Sequence, residues 1–308
     1  MSRKVLVMGG NGFIGQNIVT YFAQKGDEVE IYDLYAKNNG FINHIGNVLT
    51  DDNLDDIISG FDTIIYLITS VSPKKSMEFP SESYTQDIPM ILKVLNACLK
   101  ANCKRVLFSS SGGTVYGESQ EDSLTEDNTI EQPINHYAIC KVACEKILML
   151  YNKLYGMENI ILRISNPYGI GQRPESGVGV ITAFTDKILR GEEITLYGNG
   201  ENIRDFIDVN MVAEAFYNAS QWEFDKNILP VFNVGSGCPL SIGDIIKIIS
   251  EALGVKPKIK YLPARNFDVR RNVLNMNKTC DYLHLSGNND EVSSIKKYVK
   301  QMKNNYSK

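Results

Sequence analysis

The sequence predicts an α/β fold in which helices cover both faces of a parallel sheet. Three observations carry that prediction. Short apolar runs of buried-strand type recur along the chain, amphipathic helical stretches alternate with them, and the first run ends in a glycine-rich turn opening a helix. With 308 residues the chain can bury a large core as one large domain or two intimate ones.

Lys4–Met8 is the first strand, and Gly9-Gly10-Asn11-Gly12-Phe13-Ile14-Gly15 leads into a helix reaching about Lys25. The next strand, Val29–Tyr32, finishes at Asp33. Strand, glycine turn, helix and acid-terminated strand form a dinucleotide-binding unit. Gly9 makes the turn, Gly12 lets backbone N–H groups approach a pyrophosphate at the helix N-terminus, and Gly15 allows close helix–sheet packing. Asp33 would accept hydrogen bonds from the adenosine ribose and repel a 2′-phosphate. No Arg follows directly, so NAD is expected rather than NADP.

The alternation continues with a helix over Asp51–Ile58, a strand over Thr63–Ile68 and a long helix over Glu82–Ala101 with Pro89 in its early turns. Arg105–Phe108 is the next strand. The stretch Ser109-Ser110-Ser111-Gly112-Gly113-Thr114-Val115-Tyr116-Gly117 follows it and so lies on the ligand side. A helix over about Asn135–Tyr155 precedes the strand Ile160–Ile164, which breaks into Asn166-Pro167-Tyr168-Gly169. Beyond Gly171 strands become fewer and Gly, Asn and charged residues more frequent. The lysines at 296, 297, 300, 303 and 308 read as the solvated face of a last helix.

Tyr137 and Lys141 carry the chemistry. Four residues apart on a helix, they share one face. A tyrosine is a poor base at neutral pH, but a nearby ammonium favours its phenolate, and a bound cationic cofactor would act in the same direction. A hydroxyl from the serine stretch could relay or orient the proton. The same spacing also occurs on ordinary helices, so the surrounding motifs have to decide.

Bulk properties exclude several classes. A net charge of −4 gives no basic field for nucleic acid, no apolar run is long enough to span a bilayer, and the chain starts without a signal-peptide pattern. The six cysteines form no C-x-x-C pair and no zinc-finger arrangement with the three histidines, so no metal is expected. Cys140 and Cys144 read as packing residues, and a reducing cytoplasmic location is expected.

From residue 5 to about 280 the chain resembles the extended short-chain dehydrogenase/reductases of the nucleotide-sugar epimerase and dehydratase group. The resemblance rests on Gly9-x-x-Gly12-x-x-Gly15, Asp33, Ser-Ser-Gly-Gly-Thr-Val-Tyr-Gly, Tyr137-x-x-x-Lys141 and Asn166-Pro-Tyr-Gly. It extends to Tyr197-Gly-Asn-Gly-x-x-x-Arg204-Asp205-Phe206 and Phe232-Asn-Val-Gly-Ser236. It implies a Rossmann-type doubly wound domain over residues 1–170, with a returning segment at about 205–236. A smaller C-terminal α/β domain, residues 171–204 and 237–308, would bind a nucleotide sugar, and relatives of this kind form homodimers through the helices at 82–101 and 135–155.

Cofactor contacts are implied for Gly9, Gly12, Phe13, Ile14, Gly15, Asp33, Asn47, Val48, Leu67, Tyr137 and Lys141. Arg204 and Arg265 would match the diphosphate, since guanidinium forks suit phosphate oxygens. Asn166 would contact the same group, Asp268 the nucleoside ribose, and Gly177–Phe184 the base. Four positions depart from the pattern. Asn47 replaces an acid near the adenine, its amide oxygen still an acceptor; Tyr66-Leu-Ile-Thr-Ser70 replaces His-Leu-Ala-Ala; Asp87 replaces an Asn; and the serine motif has an extra Gly. Aligned from the strand, the catalytic hydroxyl is Ser111; aligned from Tyr116-Gly117, Thr114 comes nearer. The strand alignment is preferred.

Dehydratases of the group carry an acid just before Val-Tyr-Gly, where this chain has Gly113 and Thr114. The resemblance therefore favours epimerisation at sugar carbon 4, as in UDP-hexose 4-epimerases, over dehydration. A 4-keto-sugar reductase and a non-catalytic binding protein remain open. The size gate at the sugar ring would fall at Asn272, a side chain that neither excludes nor requires an N-acetyl group.

Overall fold

Val5 and Val7 point to one side of the first strand and Leu6 and Met8 to the other, and all four are fully buried. A strand with both faces apolar must be covered twice. In the computed structural model of the chain, which describes residues 2–176, 178–264, 269–285 and 290–306, the cover is helical on both sides.

In chain order the first part contains β1 (Lys4–Met8), α1 (Phe13–Gln24), β2 (Glu28–Asp33), β3 (Ile42–Ile45), α2 (Leu54–Ile58) and β4 (Thr63–Tyr66). Next come α3 (Pro73–Glu78), α4 (Pro80–Glu82), α5 (Ile88–Lys100), β5 (Arg105–Ser111), α6 (His136–Tyr155) and β6 (Ile160–Ile164). The remainder holds β7 (Asn166–Tyr168), α7 (Val180–Leu189), β8 (Ile194–Tyr197), β9 (Ile203–Asp208), α8 (Val209–Gln221) and β10 (Val231–Val234). It closes with β11 (Pro239–Ser241), α9 (Ile242–Leu253), β12 (Ile259–Leu262), β13 (Arg271–Asn272), α10 (Asn277–Leu283) and α11 (Glu291–Tyr306).

Seven strands form one parallel sheet in the order β10-β6-β5-β4-β1-β2-β3. Strand order reverses between β1 and β4, the switch point outside which a doubly wound sheet binds ligands. One face packs on α1 and α8 through Val5, Val7, Ile65, Leu107 and Phe232. The other packs on α2, α5 and α6 through Leu6, Met8, Ile64, Val106 and Phe108. A third apolar cluster joins α7, α9 and α11.

Three expectations change. The helix foreseen from Glu82 is interrupted: α3 and α4 precede it, and Ser83–Asp87 forms a π-helical turn before α5. Pro89 has no N–H for the carbonyl of Thr85, which breaks the regular ladder there and leaves the wider turn. The strand foreseen to end at Phe108 continues through Ser111, paired with Ile164 of β6. Beyond Gly171 the strands are short rather than few. β11, β9, β13 and β7 make a small mixed sheet, and β12 pairs with β8.

Asp205 of β9 joins this small sheet to the large one. Its carboxylate accepts hydrogen bonds from the Ser236 N–H (2.8 Å) and hydroxyl (2.9 Å) beyond β10, from Gly237 N–H (3.2 Å) and from Leu274 N–H (3.1 Å). A Cβ on Gly235 would stand 2.3 Å from Asp205 Oδ2, so only glycine admits this approach. Burial raises the Asp205 carboxyl to about 6, against the opposing pull of those donors. The folded state therefore binds this proton more tightly than the unfolded chain does. The contribution of Asp205 to stability falls as pH rises from about 4 to about 6. Between those limits wild type should lose roughly 2 kcal/mol relative to Asp205→Asn. Denaturant titrations of both proteins across that range check it, and parallel pH profiles would refute it.

Candidate active site

The turn after β1 is shaped for a pyrophosphate. Gly9 takes φ +85°, and its N–H donates to Tyr32 O at 2.8 Å. A Cβ on Gly15 would stand 2.3 Å from Gly9 O, so α1 rests directly on the turn. Gly12 is the N-cap of α1 and supplies no side-chain cap, and no acid lies in the first turn. The N–H groups of Phe13, Ile14 and Gly15 thus stand at the positive end of a helix, a fit for diphosphate oxygens.

Asp33 closes β2, its Oδ2 accepting the Asn11 N–H at 3.0 Å and its Oδ1 the Leu34 N–H at 2.8 Å. Asn11 also bonds Tyr35 O and Asn43, and Lys37 Nζ donates to Asn11 O at 2.5 Å. Asn11 and Lys37 were not singled out from sequence. The position of Asn11 inside the glycine turn was the available signal, and Lys37 had none. Leu67 faces Gly9 across the switch point, 3.4 Å from where a Gly9 Cβ would lie. Val48 is buried in the adjoining core. Asn47 is exposed, and its amide oxygen, foreseen as an acceptor for adenine, already takes the Leu49 N–H at 3.0 Å. That is the local turn bond asparagine favours.

Asn135 caps α6 by accepting the Ala138 N–H at 2.8 Å, and Gly156 ends the helix at φ +65°. Between them Tyr137 and Lys141 share the face turned to β5. Lys141 is buried, and its Nζ donates to Ser109 O at 2.9 Å. The ammonium lies 4.7 Å from the Phe108 ring centre and 5.6 Å from that of Tyr137. Carbonyl and aromatic faces stabilise the charge away from water, and the charge sits beside the phenol that would use it. Cys140 and Cys144, on the same helix, are pushed up by burial to about 11 and about 12. They stay as packing thiols.

The serine motif turns sharply after β5. The Thr114 and Val115 N–H groups both donate to Ser111 O, at 3.1 and 3.0 Å, so Ser111 and Thr114 occupy one turn at the strand end. Asn166 lies opposite Gly113, donates to Asp205 O at 2.8 Å, and pairs in register with Phe206. Arg204 pairs with Asn272 on β13 and with Leu240 on β11, and its Nη1 donates to Ile203 O at 2.8 Å. Asn272 is buried rather than open at a gate, its amide donating to Gly112 O at 3.0 Å. Asn166, Arg204 and Asn272 are thus carried by one small sheet beside the Ser111–Thr114 turn. Gly177, Arg265 and Asp268 lie outside the described residues. Among the described residues no cluster of His, Cys, Asp and Glu could hold a metal ion, and no helix is long and apolar enough to cross a membrane.

A Methanocaldococcus jannaschii protein is 33% identical over 98% of this chain and 99% of its own. The Thermotoga maritima UDP-glucose 4-epimerase, solved with UDP-glucose, has a TM-score of 0.92 at 28% identity, covering 98% of this chain and 99% of that one. The Thermus thermophilus UDP-glucose 4-epimerase, solved with NAD, has a TM-score of 0.88 at 28% identity, covering 96% and 98%. The sequence profile of the NAD dependent epimerase/dehydratase family matches residues 5–235, spanning the glycine turn, Asp33, the serine motif, the Tyr137–Lys141 pair and Arg204, and the chain belongs to that family.

Proposed function

We propose that the protein is a UDP-glucose 4-epimerase-type isomerase, inverting carbon 4 of a UDP-hexose through a transient 4-keto intermediate. One observation carries the reading. Tyr137 and Lys141 meet at the end of β5, while Gly113 and Thr114 leave no carboxylate before Val115-Tyr116-Gly117. Oxidation and reduction at one carbon need a base and a hydride carrier; loss of water from neighbouring carbons needs a further acid and base. The likeness to a UDP-glucose-bound epimerase supports the substrate class.

Bound NAD supplies the acceptor and donor of hydride, held by the glycine turn, Asp33 and the Leu67 side of the switch point. Tyr137, beside the Lys141 ammonium, takes the proton of the carbon-4 hydroxyl. Ser111, with Thr114 on the same turn, donates a hydrogen bond to that oxygen and passes the proton. Arg204 and Asn166, with Arg265 and Asp268, retain the nucleotide, so the sugar turns over in the cleft and is reduced from its opposite face without release. Residues 1–170 with 205–236 form the cofactor side; 171–204 and 237–308 form the substrate side. A cytoplasmic location suits six unpaired cysteines.

Incubation with a panel of UDP-sugars, read by product mass and proton NMR, tests the function. The expected product has unchanged mass and altered coupling at the carbon-4 proton. Loss of water would make the enzyme a dehydratase, stoichiometric consumption of NADH a reductase, and purification without NAD a binding protein. Tyr137→Phe should lower kcat by about 10³-fold and leave NAD bound, with Lys141→Met close behind. Of Ser111→Ala and Thr114→Ala, the first should lose more; a larger loss in the second reassigns the hydroxyl. Ile139, Leu150 and Leu154 expose apolar side chains along α6, and a second copy should cover them as a homodimer. Light scattering at micromolar concentration should return twice the chain mass, and a monomer mass sinks that expectation.

A further inference from the structure

One turn of the chain leads from the small sheet back to α1, and the mechanism leaves it unused. Asn166 of β7 stands opposite Gly113, at the reacting end of the site. A few residues on, Ile170 and Gly171 rest against the N-terminal half of α1, the helix whose first N–H groups suit the diphosphate. The chain therefore crosses from the reacting end of the cofactor site to its diphosphate end between residues 166 and 171.

The base of this turn is fixed. The Gln172 N–H closes it by donating to Gly169 O at 3.2 Å. Gln172 Nε2 donates to Pro167 O at 3.0 Å, and its Oε1 accepts the hydroxyl of Thr182, a fully buried residue of α7. Gly169 is buried, and a Cβ there would stand 2.6 Å from Val209 Cγ1 at the start of α8. The tip is held differently. Ile170 is 61% exposed and joins none of the apolar clusters formed by the described residues. Its carbonyl accepts Asn17 Nδ2 at 3.0 Å, and the same amide donates to Phe13 O at 2.8 Å. Gly171 takes φ +89° and packs on Gln16, where a Cβ would lie 1.4 Å from Nε2. Among the described residues, one side-chain hydrogen bond and one glycine contact hold the tip on α1.

We propose that Gly169–Gln172 is a latch on the cofactor site, fastened by Asn17, and that its opening governs how fast NAD enters and leaves. Asn17 is a positioning residue, acting through the Ile170 carbonyl. The proposal rests on the diphosphate at α1 and deepens the epimerase reading: a hydride taken from carbon 4 has to be returned by the same cofactor, so the cofactor must stay through each turnover. A turn with a fixed base and a lightly held tip opens locally, with both sheets intact. Weakening the fastening raises the open fraction, through which entry and exit both pass, and leaves the contacts to NAD in place. Both rates then rise together.

The experiment measures NADH by stopped-flow fluorescence: association with protein freed of nucleotide, and release from loaded protein into excess NAD. Asn17→Ala should raise both rates about three- to tenfold, as loss of one hydrogen bond predicts, with their ratio close to wild type. Gly171→Ala should act in the same direction, because its Cβ meets Gln16 and a left-handed φ disfavours a side chain. A merely structural role for Asn17, in the stability of α1, would raise the release rate alone and weaken binding. That outcome overturns the proposal, as does an Asn17→Ala protein with both rates unchanged. Should Gly171→Ala fail to fold, Asn17→Ala decides. If the wild type turns over no nucleotide sugar, the epimerase reading falls while the NADH rates still judge the latch.

Discussion

A lysine ammonium inside a protein has to be given partners, and Lys141 finds them on β5. The Ser109 carbonyl and the Phe108 ring are both strand groups, so burying this charge obliges α6 to lie along β5 and at one register. β5 is in turn locked to β6 by the pairs Ser109–Leu162, Ser110–Arg163 and Ser111–Ile164. The position of Tyr137 therefore follows from sheet register rather than from the loop before it. The base role proposed for Tyr137 calls for placement of that quality, because strands and packed helices hold geometry better than loops do.

The substrate side obeys a comparable rule on a smaller sheet. β9 presents Arg204 and Phe206 on one face and Asp205 on the other, as strand alternation requires. One residue thus faces the expected diphosphate while its neighbour ties the strand to Ser236, Gly237 and Leu274. The backbone carbonyl of Asp205 also fixes the amide of Asn166. The groups assigned to the nucleotide are anchored to the same joint that links the two sheets. A cleft between two layers stays in one shape only if such a joint has few alternatives, and a fully buried carboxylate with four donors has few.

Much of this was legible in the chain. Uninterrupted apolar runs gave away doubly covered strands, the glycine turn and Asp33 gave away the nucleotide end, and the Tyr137–Lys141 spacing survived as one helix face. What failed did so for identifiable reasons. Pro89 was placed inside a continuous helix, whereas its missing N–H widens the preceding turn into π geometry. Ser109–Ser111 looked like a loop because serine is a weak strand former, but α6 and β6 hold it extended. β3, with Asn43 and His44 at its centre, has no strand-like pattern and exists because β2 offers an edge. Lys37 was invisible because its partner Asn11 lies far away in sequence, and Asn272, foreseen at a gate, is instead buried against Gly112 for the same reason.

The extra glycine of the serine motif bears on the reaction itself. A Cβ on Gly112 would stand 2.6 Å from Leu274 Cδ1 and 2.8 Å from Arg163 O, so packing alone demands glycine there. Gly113 is different. A Cβ at that position would meet the Asn166 amide and Ser165 O at 3.7 Å, an ordinary contact distance. A Cβ is accommodated at the position where the family resemblance places an acid in dehydratases, and this chain has none there. Contact at the Cβ therefore does not impose the missing carboxylate. For the epimerisation proposed above, in which the sugar turns over within the cleft, an uncrowded wall beside Asn166 serves better than a second acid poised to remove water.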